Sequence, residues 1–423
     1  MERRDQKIRL SESPRNTSFL VIGLSRLGLF TAIRLLEAGH RVVGYDRSNY
    51  VASRILQGRS LDDDRRSSAI LRRHVREGSF SLVETIDSAM NEMKVDVIMI
   101  CEKAPANDRK VPQLRQLYDA IDSLGKSLRS GVVIVLQTLA PSGTARSSMK
   151  RFEELSGLSC GKDFDFVYAP SPLDVSEDFQ EQGVRRVLAG STPEAVSFVS
   201  EILKVARLGE SCTASSLEAA ELAVMHMHAR SCLRQALRAE FGILCEKAMV
   251  NLDEAERISE TLTGDELKKI PAIYGRNSAA ILTNLLEAGR SRGVSLPLCQ
   301  RARDVCWSLP LSIARTLVKN LKSQGLKARS SAVIIGSFRE LDSVEKSSHP
   351  ELEVSSVLEK AKVQVKLSRP WDGDVRKSEL GVHLHQLRAA LKVSKFAMVL
   401  ASSGHDIRKI SDLNDIVIYD YTK

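Results

Sequence analysis

The sequence predicts an α/β protein in which two parallel-sheet domains are separated by a helical segment. Short apolar runs alternate with amphipathic stretches from residue 18 to about residue 209, which is the first observation behind this fold class. The strand signal then disappears over a helical stretch to about residue 324, and a second α/β pattern begins at Ser331. Continuous apolar strands that alternate with helices are typical of a doubly wound parallel sheet.

The first α/β segment opens with a strand, a tight turn and a helix. The residues before Gly23 are apolar, Gly28 follows at the predicted start of the helix, and the next strand ends at Asp46. One glycine lets the chain turn sharply and the second lets helix and strand approach. The helix N-terminus then faces a pyrophosphate, and the acidic residue accepts a hydrogen bond from a ribose hydroxyl. We therefore predict a Rossmann-like dinucleotide-binding domain.

The glycine pattern is incomplete at its middle position, which is Ser25. A side chain there occupies the point of closest approach to the pyrophosphate, so we expect weaker cofactor binding but not its loss. Arg47 is a candidate contact for a 2′-phosphate, whereas the preceding Asp46 favours NAD. The predicted cofactor is NAD. The turn and second strand contribute these predicted cofactor-binding residues: Gly23, Ser25, Arg26, Leu27, Gly28, Asp46 and Arg47.

Further apolar runs predict strands at 95–100, 132–136 and 164–168 in the first segment, and at 331–336, 396–400 and 416–418 in the last. Between the segments, apolar residues at helical spacing predict one long helix over 217–251. Such a helix usually connects two domains or forms a dimer interface.

A chain of 423 residues accommodates two or three domains, because domains usually have roughly 100 to 200 residues. We predict a flexible tail at 1–15, a Rossmann-like domain at 16–210, an all-helical central domain at 211–325, and a smaller Rossmann-like α/β domain at 326–423.

Composition excludes several classes of protein. Apolar residues make up 43% of the chain and charged residues 27%, which is ordinary for a folded soluble protein. No apolar run is long enough to cross a membrane, and the first 15 residues lack the apolar centre of a secretory signal, so we expect a cytoplasmic protein. The seven cysteines are scattered, which predicts neither a disulfide framework nor a metal site.

The formal charge of +9 raises the question of a polyanionic partner. The densest basic cluster, at 65–76, directly follows three aspartates and contains no aromatic residue for base stacking. A solvated helix face therefore explains the cluster better than a nucleic-acid groove. A basic balance also suits phosphorylated small ligands.

Many short motifs, in order along nearly the whole chain, resemble the nucleotide-sugar dehydrogenases that oxidise UDP-glucose, GDP-mannose or UDP-N-acetylmannosamine. They include the segments 23–29, 37–46, 161–164, 168–170, 189–194 and 220–222. The resemblance implies that Pro105 and Thr138 contact the cofactor. It also implies that Phe338 and Arg339, in a strand-loop of the last domain, contact a nucleotide sugar.

The family's reaction is a four-electron oxidation that uses two NAD molecules and passes through a cysteine thioester. The family's cysteine and aspartate fall at Asn277 and Ile281 in this sequence. Its glutamate falls at Ser171, its lysine at Val224 and its asparagine at His228. An amide does not replace a thiolate nucleophile, so these degenerate positions exclude the thioester route.

Other residues are weaker candidates for catalysis. Cys245, Cys299 and Cys306 lie on predicted helices, where a cysteine is more often buried than reactive. His226 and His228 point to different sides of one helix, and either is a candidate base for a single alcohol oxidation. The latter is of interest because it falls at a family site position.

Two functions stay open. The first is a divergent NAD-dependent oxidoreductase that acts on a UDP- or GDP-sugar without the thioester route. The alternative is a catalytically inactive paralogue, a pseudoenzyme, that acts as a nucleotide-binding scaffold or regulator. We also expect a homodimer, because the long helix carries a broad apolar stripe.

Overall fold

A computed structural model describes residues 17–61, 65–104, 111–171, 185–263, 276–323, 331–335, 350–361, 363–368, 396–399 and 417–420. The chain divides into two compact units, which we call units one and two. Unit one comprises Met1–His228 and Thr283–Ser295, and unit two comprises Ala229–Leu282 and Leu296–Lys423. The finer division into a tail and three domains stays a prediction, and its tail lies outside the described residues.

Unit one contains eight strands. They are β1 Ser18–Ile22, β2 Arg41–Tyr45, β3 Phe80–Leu82, β4 Val97–Ile100, β5 Val133–Leu136, β6 Asp165–Tyr168, β7 Arg185–Gly190 and β8 Glu210–Thr213. The helices between them are α1 Arg26–Glu37, α2 Asn49–Leu56, α3 Arg65–Glu77, α4 Ile86–Glu92, α5 Arg115–Ser127, α6 Thr144–Ser156 and α7 Pro193–Val205. The next helix, α8 Leu217–Ala248, begins in unit one and continues into unit two.

The strands form one sheet in the order β3-β2-β1-β4-β5-β6-β7-β8. Neighbouring strands are parallel except for β6 and β7, which are antiparallel. The chain order reverses between β1 and β4, because β1 pairs with β2 on one side and with β4 on the other. In open α/β sheets, ligands bind outside the carboxyl ends of the strands at such a reversal.

The core lies on both faces of this sheet. Phe19 and Val21 of β1 pack in a cluster with α1 and α7, whereas Leu20 and Ile22 pack in a second cluster with α5 and α6. All four side chains are fully buried. A strand covered on both faces must be apolar at every position, which explains the continuous apolar run in the sequence. The predicted doubly wound domain is confirmed.

Unit two contains the remaining helices and a smaller sheet. Its helices include α9 Leu252–Thr263, the start of α10 Arg276–Arg290, α11 Pro297–Ser323 and α12 Pro350–Lys360. Its strands are β9 Ser331–Ile335, β10 Gln364–Ser368, β11 Phe396–Val399 and β12 Val417–Asp420. They are parallel, in the order β10-β9-β11-β12. The sequence predicted three of these strands and the helical stretch before them, but not β10.

Two features are absent from the described part of the chain. None of its helices is both long and apolar enough to cross a membrane. Within the same ranges, no cluster of three His, Cys, Asp or Glu side chains is arranged to hold a metal ion.

The basic segment at 65–76 forms helix α3, where the side chains of Arg66 and Arg73 are 62% and 60% exposed.

Candidate functional site

The turn between β1 and α1 depends on two glycines. Gly23 has a φ of 84°, a left-handed conformation that side chains disfavour, and its N–H donates to the Tyr45 carbonyl oxygen at 2.9 Å. A Cβ atom on Gly28 would lie 1.7 Å from the Gly23 carbonyl oxygen. Helix and strand therefore approach closely only because Gly28 has no side chain, as the sequence analysis predicted for this turn.

The N-terminus of α1 is open to an anionic ligand. Ser25 is the N-cap residue, but its side chain makes no capping hydrogen bond, and the first turn contains no acidic residue. The Ser25 Oγ atom is buried and has no hydrogen-bond partner. Arg26 begins the helix and Leu27 is buried in its first turn. The first-turn N–H groups and the positive end of the helix dipole suit a phosphate group.

Asp46 follows β2 and is held in place by backbone groups. Its Oδ2 atom accepts a hydrogen bond from the Leu24 N–H at 2.7 Å, and its Oδ1 atom accepts one from the Ser48 N–H at 2.8 Å. The carboxylate is therefore fixed beside the glycine turn. The neighbouring Arg47 is half exposed and its Nη2 atom lies 3.5 Å from an oxygen of Asp119. This ion pair provides a partner for Arg47 within the protein.

The ends of β4 and β5 complete this edge of the sheet. Thr138 is buried, and its hydroxyl donates to the Glu102 carbonyl oxygen at 2.8 Å. Burial and the nearby negative charge of Asp46 raise the pKa of the Glu102 carboxyl to about 7. The sequence analysis did not identify Glu102. Its position directly after the predicted strand at 95–100 was the available signal, because that strand borders the sheet reversal.

Three predicted contact residues, Pro105, Phe338 and Arg339, lie outside the described residues. The other predicted cofactor-binding residues gather at the carboxyl ends of β1, β2 and β5, around the glycine turn. Their roles in binding stay predictions.

Three residues of α8 lie at helical spacing on one buried face: Glu221, Val224 and His228. Val224 and His228 are the residues that the resemblance predicts at the family's lysine and asparagine positions. Burial lowers the pKa of the His228 imidazole to about 4, and its Nε2 atom has no hydrogen-bond partner. At neutral pH this face therefore carries an apolar side chain and a neutral imidazole at those two positions.

Glu221, on the same face, caps another helix. Its Oε2 atom accepts a hydrogen bond from the Gly143 N–H at 2.6 Å, and its Oε1 atom accepts one from the Ala145 N–H at 2.8 Å. Gly143 is the N-cap residue of α6 and provides no side-chain cap itself. Glu221 therefore ties α8 to the loop after β5. Glu221 lies in the segment 220–222 that carries the resemblance, but its capping role was not predicted.

The other degenerate positions lie in separate elements. Ser171 is fully buried after β6, and its N–H donates to the Gln137 carbonyl oxygen at 3.4 Å. Asn277 lies in the first turn of α10, and Ile281 is buried one turn later in the same helix. Asn277 and Ile281 are therefore both helical.

The alternative catalytic residues differ in exposure. Cys245 and Cys306 are buried, and burial raises the pKa of the Cys299 thiol. Burial therefore disfavours a thiolate at Cys299, whereas a hydrogen bond with Cys232 lowers the pKa of the Cys306 thiol. His226 is exposed on α8, two residues before the buried His228. As predicted, the two imidazoles point to different sides of the helix.

Comparison with known proteins identifies the first domain. Residues 17–206 match the family model described as "UDP-glucose/GDP-mannose dehydrogenase family, NAD binding domain". The chain is 25% identical to Protein CapL of Staphylococcus aureus over 325 residues, which cover 75% of this chain and 73% of that protein. It is 26% identical to the UDP-N-acetyl-D-mannosamine dehydrogenase of Pyrococcus horikoshii over 246 residues, which cover 57% of each chain. This second alignment therefore spans little more than half of that relative.

Solved structures share the fold along the chain. The UDP-glucose dehydrogenase from Pyrobaculum islandicum superposes with a TM-score of 0.74 at 17% identity, covering 97% of this chain and 99% of that one. The UDP-D-ManNAc dehydrogenase from Pyrococcus horikoshii gives a TM-score of 0.73 at 18% identity, covering 96% and 99%. At this identity the likeness concerns the fold.

The doubly wound sheet, the glycine turn and the matched segment define a protein with an NAD-binding domain. The residues present fit the cofactor, because the turn excludes a Cβ atom at Gly28, the α1 N-terminus is free of acidic residues and Asp46 is fixed beside it. Residues 17–206 are thus similar to the NAD-binding domain of the UDP-glucose/GDP-mannose dehydrogenase family, and the cofactor is NAD.

Proposed function

We propose that this protein binds NAD in unit one and takes a nucleotide sugar as its second ligand, but does not oxidise that sugar through a cysteine thioester. The substrate class follows from relatives named as UDP-N-acetyl-D-mannosamine and UDP-N-acetyl-D-glucosamine dehydrogenases. A UDP- or GDP-sugar is therefore the first ligand to test. A cytoplasmic location is part of the same proposal.

The observation that supports the loss of the thioester route is the buried face of α8. A lysine there supplies a cation that stabilises developing negative charge, whereas Val224 supplies none. His228 is neutral at physiological pH because burial lowers its pKa to about 4. Asn277, at the aligned nucleophile position, has no thiol to form the acyl intermediate. Removal of a single oxyanion donor typically costs about 3 kcal/mol of transition-state stabilisation.

Within this proposal, redox chemistry is limited to one two-electron step. NAD supplies hydride acceptance when bound, and oxidation of the sugar alcohol to an aldehyde needs only a base and that acceptor. His228 is the candidate base because its imidazole is neutral at physiological pH, and its pKa of about 4 makes it a weak one. The alternative, a non-catalytic scaffold or regulator that retains nucleotide binding, is favoured by the replacement of all five family positions.

We expect no uronic acid from purified protein supplied with NAD and UDP-glucose, UDP-N-acetylmannosamine or GDP-mannose. NADH absorbance and chromatography of the sugar product measure this directly, with an authentic family dehydrogenase as the positive control. Because no thioester can form, no second hydride is transferred and no acid is released, so any NADH that appears should be matched by aldehyde alone. Steady production of a uronic acid would contradict the assignment of Asn277 to the nucleophile position.

An aldehyde without acid would favour the two-electron oxidoreductase, and its loss in a His228→Phe variant would identify the base. If no redox product forms, thermal unfolding in the presence of NAD, NADH and each sugar distinguishes the oxidoreductase from the non-catalytic scaffold. A ligand that binds the native state raises its apparent stability by mass action. A rise in the unfolding temperature with NADH alone favours the scaffold. No rise with any ligand contradicts the proposal of a nucleotide-binding protein.

We also propose a homodimer that buries the apolar residues of α8. In unit two, Leu237 is 68% exposed, Phe241 42% and Leu244 59%, all on one helix. Large apolar side chains clustered on a surface often mark an interface. We expect Leu237→Glu combined with Leu244→Glu to convert the dimer to a monomer in sedimentation experiments at micromolar concentration. Val205→Glu, at an exposed apolar position on α7, is the control. A monomeric wild-type protein would exclude this interface.

A further inference from the structure

Glu102 is a buried carboxyl at the sheet reversal that the binding site described above does not yet use. It lies two residues beyond the end of β4, the strand that pairs with β1. Its backbone nitrogen lies 3.1 Å from the position of a Cβ atom on Gly23, which places it directly against the glycine turn. Only 9% of its surface is exposed. Glu102 therefore sits where the turn faces a bound dinucleotide.

Charged groups surround this carboxyl on several elements. Asp46 and Arg47 approach it from the end of β2, Lys103 is its neighbour in sequence, and Asp119 approaches from α5. The Tyr45 phenol also responds to Glu102, whose negative charge contributes to raising its pKa. Burial and the carboxylates of Asp46 and Asp119 outweigh the cations Arg47 and Lys103. The pKa of Glu102 is therefore raised, to about 7.

Asp46 and Glu102 differ in how their charges are supported. The Asp46 carboxylate accepts two backbone hydrogen bonds, from the Leu24 and Ser48 N–H groups. Within the ranges that the structure describes, no group donates a hydrogen bond to the Glu102 carboxyl. A carboxylate with backbone donors stays ionised, whereas a buried one without them takes up a proton more readily. Burial therefore favours the neutral form of Glu102.

We propose that Glu102 is a second cofactor-facing residue, which binds NAD in its protonated form by donating a hydrogen bond to an oxygen of the dinucleotide. The pyrophosphate of NAD carries only acceptor oxygens. An ionised Glu102 repels the pyrophosphate, whereas the protonated acid donates to it. Binding therefore takes up a proton, and the affinity for NAD falls as pH rises. This inference rests on NAD binding at the glycine turn.

The direction of the pH dependence follows from the linkage between NAD binding and the protonation of Glu102. Glu102 is largely protonated below pH 7 in the free protein, and bound dinucleotide raises its pKa further because it favours the protonated form. Above pH 7 the free protein must take up a proton in order to bind. The dissociation constant then rises by up to tenfold for each pH unit, until the pKa of the complex is reached.

The decisive experiment is calorimetric titration of the full-length protein with NADH between about pH 6 and pH 8.5. For the wild-type protein we expect the dissociation constant to rise by about tenfold over this range. Glu102→Gln keeps a donor amide and has no titrating proton, so its dissociation constant should change by less than about twofold. Asp87→Asn is the matched control, because it removes an exposed carboxylate on α4 that does not contribute to the pKa of Glu102. This variant should retain the wild-type pH dependence.

A second measurement needs no substitution. Titration of the wild-type protein near pH 8 in two buffers with different ionisation enthalpies gives the number of protons taken up with NADH. We expect an uptake of roughly half a proton, which matches a tenfold change in the dissociation constant over the pH range. Zero uptake, or a pH dependence that persists unchanged in Glu102→Gln, would overturn the role of Glu102 while leaving NAD binding intact. Failure of every variant to bind NADH at any pH would overturn both the role of Glu102 and the proposed nucleotide binding.

Discussion

Replacement of Gly28 by alanine should abolish NADH binding and destabilise unit one by at least about 3 kcal/mol. The added Cβ atom would lie 1.7 Å from the Gly23 carbonyl oxygen and 3.2 Å from the Cys101 Cβ atom. The first of these neighbours is backbone, which cannot rotate away as a side chain can. Strand β1 and helix α1 must therefore separate, and the helix N-terminus moves out of position for a pyrophosphate.

Gly242→Ala is the matched control for this prediction, since Gly242 also lies inside a helix. Its added Cβ atom would meet only the Leu252 Cδ2 atom, at 3.3 Å, which is the end of a flexible side chain. Alanine is a better helix former than glycine by about 1 kcal/mol, so this variant should be as stable as the wild type or more so. Thermal unfolding and NADH titration check both variants. Wild-type stability and affinity in Gly28→Ala would show that helix and strand do not approach as closely as described.

Replacement of Glu221 by alanine should destabilise unit one by about 3 kcal/mol, because it leaves two backbone donors without partners. Gly143 and Ala145 donate to this carboxylate at the start of α6. The carboxylate is 1% exposed, so water does not readily replace it. Its loss also frees the loop after β5, which includes Thr138 and lies at the edge of the cofactor site. We therefore expect weaker NADH binding together with the lower stability.

Glu218→Ala provides the comparison on the same helix. Glu218 forms a bidentate ion pair with Arg146, but both side chains are partly exposed to solvent. Exposed ion pairs contribute at most about 1 kcal/mol, so this variant should unfold close to the wild type. Chemical denaturation of both variants at neutral pH gives the change in the free energy of unfolding that each substitution causes. Equal effects of Glu218→Ala and Glu221→Ala would mean that the capping of α6 from α8 contributes little.

The sequence was sufficient to predict the fold class because burial determines the apolar pattern. A strand covered on both faces, such as β1, is apolar at every position, and the pattern is visible without coordinates. Strand β10 was not predicted, because its sequence from Gln364 to Ser368 alternates polar and apolar residues and lacks a continuous run. Short strands such as β3, with three residues, carry too little pattern to be recognised.

The cofactor site was partly predictable. Gly23, Gly28 and Asp46 follow a spacing that reflects local geometry, since the turn and the two strands are close in sequence. Residues that reach this site from distant parts of the sequence could not be predicted from spacing. Glu102 reaches the glycine turn only because β4 pairs with β1, and Glu221 reaches the start of α6 across 78 positions of the chain.

The sequence by itself therefore determined the fold class, the strands with continuous apolar runs and the glycine turn, because these depend on residue type and local spacing. The tertiary structure alone decided the electrostatic state of the site. It buries Glu102 beside Asp46 and raises its pKa to about 7, and it encloses His228 without a partner for Nε2. Burial and long-range pairing set these properties, and neither is encoded in the spacing of residues along the chain.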